Sequence, residues 1–523
     1  MAESNQNDRV RPVGHSGSNG EPRLVMKIIA SEDVKYFESG LHWWSFVRTL
    51  FAMLLVVATM GCATRPYNAS LDDADPGKIY TFLNRLPRNS QKLFVVLTFS
   101  GGGMRAAAFA QGVLEKMAGT RIIVDGESRR LLDEVDVITA VSGGSFTAAY
   151  FGLFGDRVFT DFPEKFLYKD IQGEMVSHLL SPARLVNMSA PHYNRSDAVS
   201  DYLGQTLFEN KTFNELSTGG QMPYVILNAA DLNTGMTFSF TQMQFDYLCS
   251  NLSPFPVARA VMASAAVPIL FAPIVLRNQP GDCPQRHPEW VAQALADRDP
   301  TDRRLRAATA MATYASPQTT PYVQLVDGGI VDNLGVRGSI MSEVNHYGRV
   351  IEMAGAFSTQ SLSQVEHVLV IAADTQTTSR RDWLRSEEGP GLVETVEALA
   401  DATNNLLNAE TTLLAQQSFA MWAEFINQRR CPTCPKVTVD FSVLSFSRLP
   451  DAVERAQFGT TPTSFRLDRE KVDELRALPS RMLDASHEFR TFLKRLQSQP
   501  QVEMRSTEKS ETLEHPNETL DAP

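Results

Sequence analysis

The chain has 523 residues, of which 43% are hydrophobic and 21% charged, and a formal net charge of −11. There is enough apolar material for one large α/β domain and a smaller helical part. The acidic balance excludes a basic stripe for duplex binding, and it excludes adhesion to anionic lipid through charge alone.

Residues 1–41 are polar and rich in Ser, Asn, Gly and charge. The run WWSFVRTLFAMLLVVATMGCATRPYN then begins, with no charge between Arg48 and Cys62. That run is too short for a spanning helix and has the length of a signal-peptide apolar core. Gly61-Cys62 follows it as in a bacterial lipoprotein leader, with Cys62 the residue that takes the lipid. The bland alternative is an uncleaved signal anchor with a buried cysteine. The stretch ahead of the apolar core is long for such a leader, and Met26 offers an alternative start. Taking Cys62 away leaves Cys249, Cys283, Cys431 and Cys434, an even set that an oxidising envelope permits to pair. Their pairing cannot be read from spacing, and the single CPTCP motif has no second pair to complete a zinc site.

QKLFVVLTFS (91–100) reads as a buried strand and 104–117 as a helix with a small-residue face. RIIVD (121–125) reads as a short second strand. VDVITAVS (135–142) reads as a third, and FTAAYFGLF follows it at once as a helix. Strand alternating with helix at this spacing argues for a mostly parallel sheet with helices on both faces. Further strands are expected at 223–232, 322–326 and 367–374. Residues 286–320 are charged, helix-prone and proline-bounded, which marks an insertion, either a flap over a site or a solvated excursion. Residues 392–428 form a long amphipathic helical pattern. KVTVDFSVLSF alternates with period two, as a strand does, and 468–496 is helical again. After Gln497 the polar, aromatic-poor chain predicts a disordered tail.

Three glycines, Gly101, Gly102 and Gly103, separate the first strand from the first helix. With Arg105 and Ala106 they satisfy G-x-G-x-x-A, and Asp125 ends the next strand where a ribose-binding acid would sit, so one reading is a nucleotide-binding turn. A second reading uses the same amides, together with the helix dipole, to hold the oxyanion of an acyl-transfer intermediate. That chemistry needs a nucleophile. Ser142, on the sharp turn Ala140-Val141-Ser142-Gly143-Gly144, is the candidate, with Ala140 standing where the usual elbow has glycine. Ser145 reads as a capping or packing residue. No histidine has a compelling context, His346 and His367 included, whereas Asp327 ends the apolar strand of YVQLVDGGIVDNLG. Ligands of open α/β sheets bind at that edge. Taken alone, Ser-Gly-Gly is an N-cap and Asp-Gly a turn.

The ordered set FSGGGMRAAAFAQGVL, VSGGS, ARAVMASAAVPILFAPI and DGG resembles the patatin-like phospholipase family across about 93–334. The resemblance implies a three-layer α/β fold with a C-terminal helical extension. It further implies a Ser142–Asp327 dyad, with Gly101, Gly102 and Gly103 as oxyanion donors assisted by Arg105. The substrate would be a lipid or phospholipid ester, with no metal or cofactor and no nucleic-acid partner. A carboxylate near pKa 3.9 is a poor base for a hydroxyl, so burial has to raise Asp327. The expected layout is a leader over 1–61, a linker over 62–90, the hydrolase domain over 91–375, a helical region with one strand over 376–497 and a tail over 498–523. The leader implies an anchored protein of the bacterial envelope, facing the periplasm from the outer membrane. A catalytically silent scaffold of the same fold is the other alternative.

Overall fold

The run LFVVLTF forms strand β1 (Leu93–Phe99), and every residue of it is buried. A strand buried along its whole length must be covered on both faces, as in the middle of a layered α/β sheet. The computed structural model describes residues 67–497 apart from 74–79, 83–88, 182–187, 189–192, 219–222, 282, 284–288, 302, 339–363, 378–381 and 386. All of these lie in the unit running from Ala63 to Pro523. Cys62, the leader, His346 and the tail lie outside the described residues, as does most of the linker.

From β1 the chain passes into helix α1 (Gly103–Gly119), the short strands β2 (Arg121–Val124) and β3 (Glu127–Arg130), and strand β4 (Val135–Val141). Helix α2 (Gly143–Phe154) follows β4 directly. Strands β5 (Tyr224–Asp231) and β6 (Met236–Ser239) come next, then helix α3 (Val257–Ser264) and strands β7 (Ile274–Arg277) and β8 (Tyr322–Asp327). The C-terminal part supplies β9 (His367–Asp374), the long helix α4 (Leu392–Arg429), β10 (Thr438–Ser445), α5 (Arg469–Ala485) and α6 (His487–Gln497). The central eight-stranded sheet has the order β10-β9-β1-β4-β5-β8-β7, with β6 paired to β5. The five strands from β10 to β5 are parallel; β6, β7 and β8 pair antiparallel. The fold is three-layer α/β with a mixed sheet, and it carries the expected C-terminal helices.

One expectation changes. RIIVD does not join the central sheet: β2 pairs antiparallel with β3 in a hairpin of its own. Asp125 and Gly126 form its turn with φ of 52° and 81°. Two residues with positive φ match the turn that suits a tight hairpin, and Asp-Gly is its usual sequence. The helical region with one strand expected after 375 is tied into the fold. β10 pairs with β9 along its whole length, and an added Cβ on Gly112 of α1 would lie 2.1 Å from the Arg476 carbonyl oxygen of α5. The polar residues of the alternating β10 lie inside the fold as well. Asp440 and Ser442 are buried; Arg495 of α6 pairs with Asp440 at 2.5 Å, and the Ser442 and Ser486 hydroxyls meet at 2.9 Å.

The insertion forms two helices, Glu289–Asp297 and Arg303–Tyr314. The hydroxyl of buried Tyr314 donates to Asp231 Oδ2 at 2.6 Å, tying the second helix to the end of β5. The four cysteines pair as Cys249 with Cys283 and, locally, Cys431 with Cys434. The CPTCP thiols are therefore joined to each other.

Candidate active site

Ser142 sits between β4 and α2 with φ 47° and ψ −120°, a conformation that L-residues avoid. The neighbours needed for so sharp a turn are small. An added Cβ on Gly143 would lie 2.0 Å from the Gly103 carbonyl oxygen, and one on Gly144 2.7 Å from Phe99 Cβ. The strained backbone is held from below by α3. The Ser142 N–H donates to Ser264 Oγ at 2.8 Å, Ser264 Oγ donates to the Asn228 carbonyl at 2.6 Å, and Ser145 Oγ meets Ser264 Oγ at 2.9 Å. Ser145 is thus a packing partner of Ser264, while the Ser142 side chain, also buried, turns to Asp327.

Asp327 reaches the same level by register. In the parallel pair, Val141 of β4 lies opposite Asn228 of β5; in the antiparallel pair, Asp327 of β8 lies opposite Ala229. The residue after Val141 and the last residue of β8 therefore flank one position of β5. Asp327 thus lies at the same edge as Ser142, and an antiparallel strand delivers it there. Its N–H donates to the Ala266 carbonyl at 3.0 Å, which fixes the strand end against the turn after α3. Ser142 Oγ donates to Asp327 Oδ2 at 2.7 Å, and Gly329 N–H donates to Asp327 Oδ1 at 2.8 Å. The two side chains belong to residues only 5% and 7% exposed. Burial pushes the Asp327 carboxyl up to about 6, against the pull of its hydrogen bonds from Ser142 and Gly329.

The glycine turn lies beside this pair. Gly102 and Gly103 have φ of 140° and 60°, open to glycine and strained for other residues. What approaches the turn is protein. An added Cβ on Gly103 would lie 2.4 Å from the Ser464 carbonyl oxygen, which also accepts the Met104 N–H at 2.8 Å. The three glycine amides are not equivalent. Gly101 N–H, expected as an oxyanion donor, donates instead to the carbonyl and the side-chain oxygen of Asn333 at 3.2 and 3.1 Å, in the loop after Asp327. Gly102 and Gly103 precede or open α1, where helix amides lack intrahelical partners. Arg105 is 3% exposed and faces the wall behind the turn. Its Nε donates to the Thr375 carbonyl at 2.9 Å and its guanidinium also donates to the Thr461 carbonyl at 2.5 Å. Its role in this geometry is to buttress the turn.

The nucleotide alternative loses its acid. Asp125 accepts from Ser90 Oγ at 2.8 Å and pairs with Lys92 at 3.0 Å, both just before β1, whereas the glycines follow β1. The seven residues of β1 hold the two ends apart, at a rise of about 3.3 Å per residue. His367 lies at the start of β9, bonded through Nδ1 to Thr438 Oγ1 at 2.9 Å, far along the strand from Ser142. Sequence reasoning missed Ser264 and Asn333 as site residues. Each lay inside a quoted motif, but only the folded chain shows which backbone group it holds.

The family described as Patatin-like phospholipase matches residues 97–340. No curated protein matches the chain by sequence. Among solved structures, human GIVD cytosolic phospholipase A2 is similar at 13% identity and a TM-score of 0.34, over 77% of this chain and 61% of that one. VipD from Legionella pneumophila is similar at 10% identity and a TM-score of 0.24, over 82% of this chain and 73% of that one. The chain thus spans about 61% of the length of the human phospholipase structure it matches.

Proposed function

Through residues 97–340 this chain belongs to the patatin-like phospholipase family, and on that premise we propose that it is a serine acyl hydrolase acting on lipid esters through a Ser142–Asp327 dyad. The observation that carries the reading is the 2.7 Å hydrogen bond from Ser142 Oγ to Asp327 Oδ2 on a strained elbow. Asp327 takes the Ser142 proton as Oγ bonds to the ester carbonyl carbon. The resulting oxyanion is met by the Gly102 and Gly103 amides and the α1 dipole. Collapse breaks the ester C–O bond, and Asp327 returns the proton to the departing alcohol. Water then attacks the acyl-enzyme, gives a proton to Asp327 and releases the fatty acid, while Ser142 is reprotonated. A base raised to about 6 is better matched to this work than an ordinary aspartate, yet it is ionised at neutral pH. Losing one oxyanion donor costs roughly 3 kcal/mol.

The same reading extends to the leader. Lipid on Cys62 would hold the enzyme at a bacterial envelope membrane, where its substrate lies; an outer-membrane, periplasm-facing position is the form we favour.

Hydrolysis of p-nitrophenyl butyrate and of phospholipid vesicles tests the assignment. Ser142→Ala and Asp327→Asn should each lower kcat by at least about a thousandfold. The wild-type kcat/KM should rise with pH and level off above an apparent pKa of about 6. Ester cleavage by Ser142→Ala at the wild-type rate would refute the dyad, and wild-type protein with no activity on any ester would favour the silent scaffold.

A further inference from the structure

A cavity of about 500 Å³ opens at the carboxyl ends of β9 and β10, under α4. Its lining mixes apolar residues such as Leu413 and Phe446 with polar ones: Asp374 and Gln376 after β9, Ser445 and Arg448 after β10, and Asn405 and Asn408 from α4. Much of this lining is interlocked. Asp374 Oδ1 accepts from the Gln376 N–H at 3.1 Å and from Asn408 Nδ2 at 3.2 Å, and Asn408 Nδ2 also reaches Gln376 Oε1 at 2.9 Å. The network fixes the Gln376 amide and leaves its Nε2 buried with no acceptor among the described residues. A buried donor in that state is destabilising unless an acceptor is supplied.

Two guanidinium groups complete the wall. Arg448 donates one N–H to the Val443 carbonyl at 3.3 Å, and Arg455 donates to the Leu449 and Pro450 carbonyls at 2.6 and 2.8 Å. Each guanidinium carries five N–H donors in a planar fork suited to phosphate. Side-chain amides, hydroxyls and one carboxylate recognise hydroxyl groups, which both donate and accept. With one carboxylate against two guanidinium groups, the lining carries an excess of positive charge in a chain whose net charge is −11.

One residue links the cavity wall to the glycine turn. Thr375, between Asp374 and Gln376, donates from Oγ1 to the Gly101 carbonyl at 2.9 Å, and its own carbonyl accepts from Arg105. β9 is two strands from β4, a separation of about 10 Å. The glycerol backbone and head group of a phospholipid cover such a distance.

We propose that this cavity binds a phosphorylated polyol, and that it receives the head group of the lipid whose ester lies at Ser142. The head-group part rests on the acyl hydrolase reading; the polyol phosphate part does not. The test uses the full chain with phosphatidylcholine vesicles containing either phosphatidylglycerol or phosphatidylethanolamine. p-Nitrophenyl butyrate serves as an ester without a head group, and free glycerol 3-phosphate as the soluble ligand. Gln376→Leu keeps the charge but removes the orphan donor, Arg448→Ala removes one guanidinium, and Ala409→Trp fills the cavity from an exposed position on α4.

Each variant should raise KM for phosphatidylglycerol about tenfold, the scale of one lost hydrogen bond to a charged group. kcat, and turnover of the butyrate ester, should stay unchanged. Glycerol 3-phosphate should raise the melting temperature of the wild type and not of Ala409→Trp. Unchanged KM in both Gln376→Leu and Ala409→Trp overturns the head-group assignment. A thermal shift without any phosphatidylglycerol effect assigns the cavity to a soluble polyol phosphate instead. If the wild type cleaves no ester, the hydrolase reading fails, and the thermal shift alone decides the cavity: a shift abolished in Ala409→Trp supports it, and no shift overturns it.

Discussion

In the proposed dyad, Asp327 carries opposing demands. Its carboxyl must be ionised to accept a proton, yet it lies where burial favours the neutral acid and raises its pKa to about 6. The unfolded chain would titrate it near 3.9, so between about pH 4 and 6 the folded state holds the proton more tightly. Folding stability from this group is therefore greatest at low pH, declines as pH rises through that window, and stays reduced above it. The shift corresponds to about 3 kcal/mol at neutral pH. Asp327→Asn removes that penalty: urea denaturation should show the variant more stable than the wild type by roughly 1–3 kcal/mol at pH 7.5 and no more stable at pH 4. A variant that is less stable at both pH values would mean that the carboxylate contributes to the fold. The residue types at this site were legible because a serine on a glycine-flanked turn and an aspartate at a strand end are chemically specific. The distinct fate of Gly101 was not, because nothing in GGG says which amide Asn333 will take.

At the scale of elements, the site depends on close backbone contacts that only glycine permits. α1 carries the glycine turn at its start and meets α5 at Gly112, where an added Cβ would sit 2.1 Å from the Arg476 carbonyl oxygen. Gly112→Ala must push the helices apart, and it should lower stability by roughly 1–3 kcal/mol, read as a fall in the urea midpoint at unchanged slope. An unchanged midpoint would show that α5 moves freely against α1. Long apolar runs such as LFVVLTF were readable as buried strands because their length and β-branching leave few alternatives. Strand direction was not readable. The apolar pattern of YVQLVD is the same whichever way β8 runs, and only pairing with Ala229 and its neighbours shows it to be antiparallel. The β2–β3 hairpin was written in the chain as Asp125-Gly126; it was lost because a strand–helix rhythm was carried one element too far.

At the scale of the whole molecule, the sheet continues beyond the residues that carry the family motifs. Its β10 edge comes from the strand read within the C-terminal helical region, where one alternating strand among helices gives no sign of which sheet it joins. The envelope proposal also belongs to this scale, since it concerns residues outside the described part of the chain. In a bacterial host the full chain should partition into the detergent phase of Triton X-114 and incorporate labelled fatty acid, and Cys62→Ala should lose both while keeping esterase activity in the soluble fraction. Equal partitioning of the variant would point to the apolar run ahead of Cys62 as an uncleaved anchor.

Reaction with a fluorophosphonate probe, followed by mapping of the modified peptide, tests the central claim most directly. The account predicts one modified residue, Ser142, with labelling abolished in Ser142→Ala and strongly slowed in Asp327→Asn. Label on another serine, or undiminished labelling in Ser142→Ala, would contradict it.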